Sequence, residues 1–428
     1  MRELKDTAKS WMGYIPSNWE LKKGKYCFVQ KSEKGNNKSL VLLSPTQNYG
    51  VIPQDLYEEL SGFSAVKLNE NTNLNSLKTV HKGAYVISLR SFQGGFEYSE
   101  YEGVVSPAYQ VFYAKIPICD IFYKYLFKTQ VFIDEMNSYT MSLRDGKNIA
   151  FADFGRTYIP IPPVNEQLII ANYLEYFCSE IDALSADIQA EIDTLQAYKQ
   201  SVITEAVTKG LDKNAPMKNS GTDWLGCIPK HWEIKRGKYI FEQKNDKGNN
   251  NSLVLLSPTQ NYGVIPQNLY EELSGLSAVK LNEKTDLSLL KTVHKGAFVI
   301  SLRSFQGGFE YSEYEGVVSP AYQVFYPSVP VNDNYYKYLF KTQVFIDKMN
   351  SYTMSLRDGK NIAFADFGRT LIPIPPLHEQ EEIANELNNV CSELNITIKE
   401  KQEQLKILAD YKKSLIYEYV TGKKEVDI

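Results

Sequence analysis

Side chains with strong hydrogen-bonding chemistry are concentrated in three polar stretches of this 428-residue chain. Ser88–Gly95 reads Ser-Leu-Arg-Ser-Phe-Gln-Gly-Gly, Ser44–Gly50 is rich in amides, and Leu143–Asn148 carries two cations and an amide. Arg and Gln have forked polar groups that match base edges, and Ser can contact bases or phosphates. Each stretch recurs 213 positions later, so the chain presents the same polar groups twice.

These groups predict nucleic-acid binding, although an Arg in a loop is most often only solvated surface. Three such loops in one mildly basic globule, presented twice, favour the binding interpretation. The predicted contact residues of the first repeat are Gln47, Asn48, Arg90, Ser91, Gln93, Arg144, Lys147 and Asn148. Their equivalents in the second repeat are Gln260, Asn261, Arg303, Ser304, Gln306, Arg357, Lys360 and Asn361.

Catalytic and metal-binding signatures are missing from the sequence. It has no GxxxxGK[ST] phosphate loop, no [DNS]PP[YFW] methyltransferase motif and no GxGxxG after a strand. The four histidines lack metal-ligand spacing, and His81 and His294 are expected to be exposed turn residues. The five cysteines form no CxxC pair and are expected to be reduced thiols of a cytosolic protein. We therefore expect no catalytic residue, no metal and no cofactor.

Charge is divided unevenly along the chain. The net charge is −4, yet residues 164–209 carry −6 and residues 377–428 carry −4, so the remaining parts carry +6. Nucleic-acid affinity depends on local basic patches and not on the mean charge. No signal sequence is visible, and no apolar run approaches the roughly 20 residues of a membrane span, so no membrane partner is expected.

Two long stretches have the three- and four-residue hydrophobic spacing of a helix close to a coiled-coil seam. Val164–Thr208 follows a proline run and precedes Gly210, a natural helix stop, and the second stretch begins at Leu377 after a matching run. We expect the two helices to bury each other; the alternative is two surface helices on separate cores. The seam positions are Phe177, Ile181, Leu184, Ile188, Ile192, Leu195, Tyr198 and Val202, with Leu387, Val390, Leu394, Ile398, Leu405, Leu408 and Leu415.

The chain is a tandem repeat of globule and helix, in which Trp11 and Trp224 open equivalent globules. Residues 1–10 are expected to be a polar lead-in. Short β-branched and aromatic runs predict strands, and Tyr123–Met136 is predicted to be helical, so each globule is expected to be α+β. The predicted strands are Ser39–Leu43, Ala84–Leu89 and Val104–Phe112.

Similarity between the repeats is uneven. Ser39–Tyr113 differs from Ser252–Tyr326 at only seven of 75 positions, and Tyr123–Thr157 differs from its copy only at Glu135 versus Lys348. The helix residues 168–208 keep just 16 of 41 residues in their copy. Both globules are therefore expected to do the same thing, even if recent duplication of the globule alone explains the pattern.

Several of these segments resemble the specificity (S) subunit of type I restriction–modification enzymes. The segments are Ile-Pro-x-x-Trp-Glu at the start, Leu-Ser-Pro-Thr-Gln, Ser-Leu-Arg-Ser-Phe-Gln-Gly-Gly, Val105–Tyr109, and Ile-Pro-Pro-x-x-Glu-Gln at Ile161–Gln167 and Ile374–Gln380. The resemblance covers essentially the whole chain. The twice-occurring Pro-Pro-x-x-Glu-Gln helix entrance is its most specific part.

The resemblance implies an α+β fold with two repeated target-recognition domains separated by two long antiparallel coiled-coil helices, related by a pseudo-twofold axis. The expected segments are recognition domains at 11–163 and 224–376, helices at 164–209 and 377–422, and a linker at 210–223. Each domain would read half of a bipartite site on double-stranded DNA. The helices would dock two modification (methyltransferase) subunits, to which restriction subunits add. The S subunit itself is non-catalytic, and S-adenosylmethionine, ATP and Mg²⁺ belong to its partners.

One departure from the family concerns the two recognition domains, which commonly differ in S subunits but here are near copies. We therefore predict a palindromic site with identical half-sites. Two alternatives remain open from the residues alone: a DNA methyltransferase with its own recognition domain, and a coiled-coil scaffold without a DNA role.

Overall fold

A computed structural model describes residues 2–34, 41–63, 76–88, 95–139, 149–247, 254–276, 289–301, 308–352 and 362–426. The chain forms two compact units. Unit 1 contains residues 1–188 and 403–428, and unit 2 contains residues 189–402. Each unit therefore combines one globule with parts of two long helices.

The globule of unit 1 is built from short strands and helices. Its strands are β1 Leu4–Asp6, β2 Tyr14–Pro16, β3 Glu20–Lys23, β4 Phe28–Lys31, β5 Leu43–Thr46, β6 Gly50–Pro53, β7 Lys78–Val80, β8 Tyr85–Ile87, β9 Phe96–Tyr98, β10 Gly103–Val105, β11 Gln110–Ala114 and β12 Tyr158–Ile161. Its helices are α1 Gly24–Cys27, α2 Gln54–Ser61, α3 Asp120–Leu126, α4 Gln130–Ser138 and α5 Phe151–Arg156. Helix α6, Val164–Lys209, follows directly.

The globule of unit 2 repeats this order. Its strands are β13 Met217–Asn219, β14 Cys227–Pro229, β15 Glu233–Arg236, β16 Phe241–Lys244, β17 Leu256–Thr259, β18 Gly263–Pro266, β19 Lys291–Val293, β20 Phe298–Ile300, β21 Phe309–Tyr311, β22 Gly316–Val318, β23 Gln323–Pro327 and β24 Leu371–Ile374. Its helices are α7 Gln267–Ser274, α8 Asp333–Leu339, α9 Gln343–Asn350 and α10 Phe364–Arg369, with a short 3₁₀ helix at Gly237–Tyr239. The second long helix, α11, spans Leu377–Val420.

An antiparallel four-stranded sheet of order β4-β11-β8-β9 is the centre of unit 1, and β16-β23-β20-β21 is its equivalent in unit 2. Side chains alternate across the sheet because successive residues of a strand point to opposite faces. Tyr85 and Ile87 of β8 join an aromatic core with Phe112, whereas Val86 joins an aliphatic core with Val111. The central strands β8 and β11 are therefore covered on both faces, whereas three of the four residues of the edge strand β4 are exposed.

Smaller antiparallel pairs surround this sheet. In unit 1 they are β1–β2, β3–β12, β5–β6 and β7–β10, and in unit 2 they are β13–β14, β15–β24, β17–β18 and β19–β22. The β3–β12 pair leads into α6, and the β15–β24 pair leads into α11. The last strand of each globule is thus paired with one of its first strands, just before the long helix starts.

Three local expectations were wrong. The polar residues 1–10 contain β1, whose exposed side chains leave no hydrophobic pattern even though its backbone pairs with β2. Val104–Phe112 is two strands, β10 and β11, because a turn closed by Tyr109 N–H to Ser106 O surrounds Pro107. The predicted helix Tyr123–Met136 is also divided, because Thr129 is extended and is the N-cap of α4.

The prediction of two long antiparallel helices is confirmed. Within unit 1, Lys412 Nζ donates to Asp182 Oδ1 at 2.6 Å, and Tyr419 Oη donates to Tyr173 Oη at 3.1 Å. Within unit 2, Lys199 Nζ donates to Asn395 Oδ1 at 2.6 Å. Within unit 1, the contact moves from Tyr419 to Lys412 on α11 as it moves from Tyr173 to Asp182 on α6. The two helices therefore run antiparallel.

Each globule also holds the C-terminal end of a long helix. Leu415, Tyr419 and Val420 of α11 lie in the aromatic core of unit 1. Ile203 and Val207 of α6 lie in that of unit 2, where Tyr335 Oη donates to Val207 O at 2.7 Å. Each globule therefore packs against the N-terminal end of one long helix and the C-terminal end of the other. This packing requires the two helices to run antiparallel.

The buried stripe of α6 matches most but not all of the predicted seam. Ile181, Ile188 and Ile192 are buried, whereas Leu184 and Tyr198 are exposed. A strict coiled-coil repeat would bury those two positions, so the contact does not follow the heptad along the whole of α6. Among the described residues, no helix is long and apolar enough to cross a membrane.

Substitutions on the two faces of the helices should have different effects. Ile188→Asp places an unpaired charge at a side chain that is 8% exposed, whereas Leu184→Asp changes one that is 49% exposed. We expect Ile188→Asp to lower the free energy of unfolding by about 3 kcal/mol or more and Leu184→Asp by much less. Leu408→Asp and its exposed neighbour Ile407→Asp form a second matched pair on α11. Equal urea midpoints for the paired variants would contradict this packing.

Candidate nucleic-acid interface

The first predicted loop is a tight turn between β5 and β6. Thr46 Oγ1 donates to Gly50 O at 2.9 Å and accepts from Tyr49 N–H at 3.0 Å. Gly50 has φ +72°, and a side chain there would meet Tyr98 O at 2.7 Å. This glycine therefore allows the turn to lie directly against the edge of β9, and the turn residues Gln47–Tyr49 are exposed.

The second predicted loop, Ser88–Gly95, connects β8 and β9 as a hairpin. Ile87 pairs with Phe96, and Ser88 N–H donates to Gly95 O at 2.8 Å. Ser301 N–H and Gly308 O repeat this closure at 2.8 Å in unit 2. The intervening residues 89–94 and 302–307 lie outside the described residues. The loop thus begins from two paired strands whose spacing is fixed.

The third predicted loop follows α4, and its return is held by a side chain of the central sheet. Gln110 Nε2 donates to Ile149 O at 3.1 Å, and Gln110 Oε1 accepts from Phe151 N–H at 2.7 Å. Gln110 is also paired with Ile87 across β11 and β8. The end of the third loop is therefore placed beside the base of the second, and Gln323 makes the same contacts in unit 2.

The structure brings the bases of all three loops together within each unit, but it describes only four of the predicted contact residues. Those four are Gln47, Asn48, Gln260 and Asn261, and all are exposed. The other predicted residues lie outside the described part of the chain: Arg90, Ser91, Gln93, Arg144, Lys147, Asn148, Arg303, Ser304, Gln306, Arg357, Lys360 and Asn361.

An ion pair that sequence reasoning missed, with a buried carboxylate and a partly exposed ammonium group, lies among these loop bases. Lys128 Nζ, in the turn between α3 and α4, donates to Glu97 Oε1 at 2.5 Å and to Gln47 O at 3.2 Å. Glu97 is 2% exposed. Burial raises the pKa of its carboxyl to about 7, although the Lys128 ammonium opposes the shift. The raised pKa indicates that a charge at Glu97 is costly, so the carboxylate depends on its lysine.

Unit 2 contains the same arrangement. Lys341 Nζ donates to Glu310 Oε1 at 2.6 Å and to Gln260 O at 3.3 Å. Burial also raises the pKa of Glu310 to about 7. The sequence signal was an acid between two aromatic residues in a strand, Phe-Glu-Tyr, which alternation alone assigns to an exposed face.

The Pro-Pro-x-x-Glu-Gln entrance forms a joint between globule and helix. Trp19 Nε1 donates to Glu166 Oε1 at 2.9 Å. Buried Gln167 accepts from Cys119 N–H at 2.8 Å and donates to Pro162 O at 2.8 Å. The oxygen and the nitrogen of this amide are therefore each hydrogen-bonded to backbone, one before α3 and one just before α6.

The equivalent residues of unit 2 form the same joint. Trp232 Nε1 donates to Glu379 Oε2 at 2.8 Å, and Gln380 accepts from Asn332 N–H and donates to Pro375 O, each at 2.8 Å. Both indoles are fully buried. The motif therefore fixes the direction in which each helix leaves its globule.

Other chemistry is not assembled in the described part of the chain. No group of three or more His, Cys, Asp or Glu side chains there could hold a metal ion. His81 is a half-exposed turn residue whose Nε2 lies 3.1 Å from Glu33 Oε2. The described arrangement is a set of loop bases held together beside one sheet.

Comparison with known proteins agrees with this arrangement. Residues 1–194 and 229–407 match the family described as the type I restriction modification DNA specificity domain. The MjaVIII type I restriction enzyme specificity subunit of Methanocaldococcus jannaschii is 26% identical over 307 residues, which are 68% of each chain. The putative MjaX type I specificity subunit of the same organism is 26% identical over 278 residues, covering 63% of this chain and 59% of that one.

Solved structures share the fold. A chain from a structure of complex assembly and conformational transition in the type I R-M system aligns with a TM-score of 0.70 at 14% identity, covering 96% of this chain and 99% of the other. The HsdS subunit of Thermoanaerobacter tengcongensis aligns with a TM-score of 0.51 at 14% identity, covering 98% and 100%. With the family match extending over both repeats, this chain belongs to the specificity subunits of type I restriction–modification systems.

Proposed function

We propose that each globule reads one half of a bipartite site on double-stranded DNA. The observation that supports this most is that the bases of three polar loops lie beside one sheet in each unit. The recognition domains would comprise residues 11–163 and 224–376, to which the strands β1 and β13 are paired. Helix α6 and the linker 210–223, which contains β13, lie between the two domains in the sequence. Arg and Lys side chains on such loops can enter a groove while the sheet stays outside it.

The two half-sites should be identical. The loops Ser88–Gly95 and Arg144–Asn148 are repeated without change at Ser301–Gly308 and Arg357–Asn361. Identical side chains on the same backbone prefer the same bases, and the pseudo-twofold arrangement implied by the family would place them on opposite strands. Glu135 and Lys348, where the copies differ in charge, could change phosphate attraction but not the hydrogen bonds to bases.

The helices 164–209 and 377–422 would dock two methyltransferase subunits, to which restriction subunits add. Their acidic character repels phosphate and suits a protein partner. Tyr176, Ile396 and Ile407 are apolar side chains more than half exposed on their outer faces. In this proposal the chain acts in the cytoplasm and catalyses no step, because the methyl transfer and its cofactor belong to the partner subunits.

Reconstitution tests this assignment. The purified chain alone, the methyltransferase subunits alone and their mixture are incubated with plasmid DNA and labelled methyl donor. We expect methylation at defined sequences only in the mixture, since one component supplies specificity and the other chemistry. Sequence-specific methylation by the chain alone would instead identify it as an enzyme, and unchanged methylation on adding the chain would contradict a specificity role.

Loop cations should separate into two kinds of contact. We expect Arg90→Ala to cost about 1–3 kcal/mol of cognate binding and to relax one half-site, because a bidentate base contact is lost. Lys147→Ala should weaken all sequences alike and reduce the salt dependence of binding, as loss of a phosphate contact does. Arg303 and Lys360 are the matched positions in the second repeat. If Arg90→Ala weakened binding to cognate and non-cognate DNA equally, base reading would have to be assigned to another loop.

A further inference from the structure

The ion pair of each globule lies between the first loop and the hairpin that carries the second. Lys128 follows α3 and precedes α4, the helix that leads into the third loop. Glu97 is the second residue of β9, two positions after the second loop ends at Gly95. Gln47, whose carbonyl Lys128 also binds, is in the first loop. A single ammonium group thus contacts both the first loop and the hairpin that carries the second.

Stability alone explains this pair poorly. Replacing a buried ion pair by apolar side chains is often neutral or stabilising, because desolvation offsets the attraction. Here the cost is increased, since Glu97 Oε2 and its equivalent Glu310 Oε2 have no hydrogen-bond partner among the described residues. The ion pair is better explained by the loop and hairpin that it holds in position.

We propose that Glu97–Lys128 and Glu310–Lys341 are positioning pairs that hold the first recognition loop of each globule against the hairpin carrying the second, and thereby set the base specificity of each half-site. This inference rests on the proposed DNA-reading function. The carboxylate fixes the ammonium, and the ammonium fixes the Gln47 or Gln260 carbonyl against the β8–β9 or β20–β21 hairpin. Neither side chain needs to touch DNA itself.

The test uses the full chain assembled with its methyltransferase subunits, and it maps methylated bases in a randomised DNA library. Glu97→Met/Lys128→Met removes both charges together and should leave the melting temperature close to that of the parent. We expect sites with one intact and one degenerate half, with discrimination in that half reduced about tenfold or more. Adding Glu310→Met/Lys341→Met should make both halves degenerate.

Lys124→Met is the matched control. Lys124 lies one helical turn before Lys128, and its Nζ is 3.6 Å from Glu100 Oε1 in an exposed ion pair. It should leave melting temperature and both half-sites unchanged.

The outcomes separate the two proposals. A specific parent whose Met/Met variant keeps both half-sites overturns the positioning role alone. A variant with a lowered melting temperature and uniformly reduced methylation, but with unchanged base preference, assigns the pair to stability and also overturns it. A parent that methylates without sequence preference contradicts DNA reading itself and overturns both.

Discussion

A buried glutamine at the start of each long helix is the constraint on which the rest of the structure depends. Gln167 and Gln380 satisfy both ends of their amides with backbone groups, one just before the helix and one before α3 or α8. The neighbouring glutamate binds a buried indole. An unpaired buried amide is costly, so these contacts allow only one direction of exit from the globule.

The two repeats share the buried helix residues next to this joint. The first turns of both helices keep the residues that face the globule: Ile170, Ala171 and Leu174 match Ile383, Ala384 and Leu387, and all six are buried. Most differences lie farther along, where α6 and α11 need only complement each other and present an outer face. The globules, in contrast, must preserve the same loop base in both copies. One core difference, Tyr85 versus Phe298, is accommodated because Asp120 accepts from the Tyr85 hydroxyl, whereas Asp333 accepts from Tyr311.

Much of the architecture could be predicted from the sequence because periodicity and repetition are long-range signals. The long helices and the doubled globule were identified in this way. Strand β1 could not be, since its side chains are exposed and only its backbone pairs. Leu184 and Tyr198 fit a heptad but are exposed, because the helix pair does not maintain a strict seam. The ion pair of Glu97 and Lys128 joins residues 31 positions apart, so the local pattern Phe-Glu-Tyr does not identify the partner of the acid.

The central claim is that two nearly identical globules read the same bases. Modified-base sequencing of genomic DNA from cells that express this chain with its methyltransferase subunits measures this directly. The account predicts a short sequence, a non-specific spacer of fixed length and the reverse complement of that sequence, with one modified base per half on opposite strands. Two unrelated half-sites would contradict it.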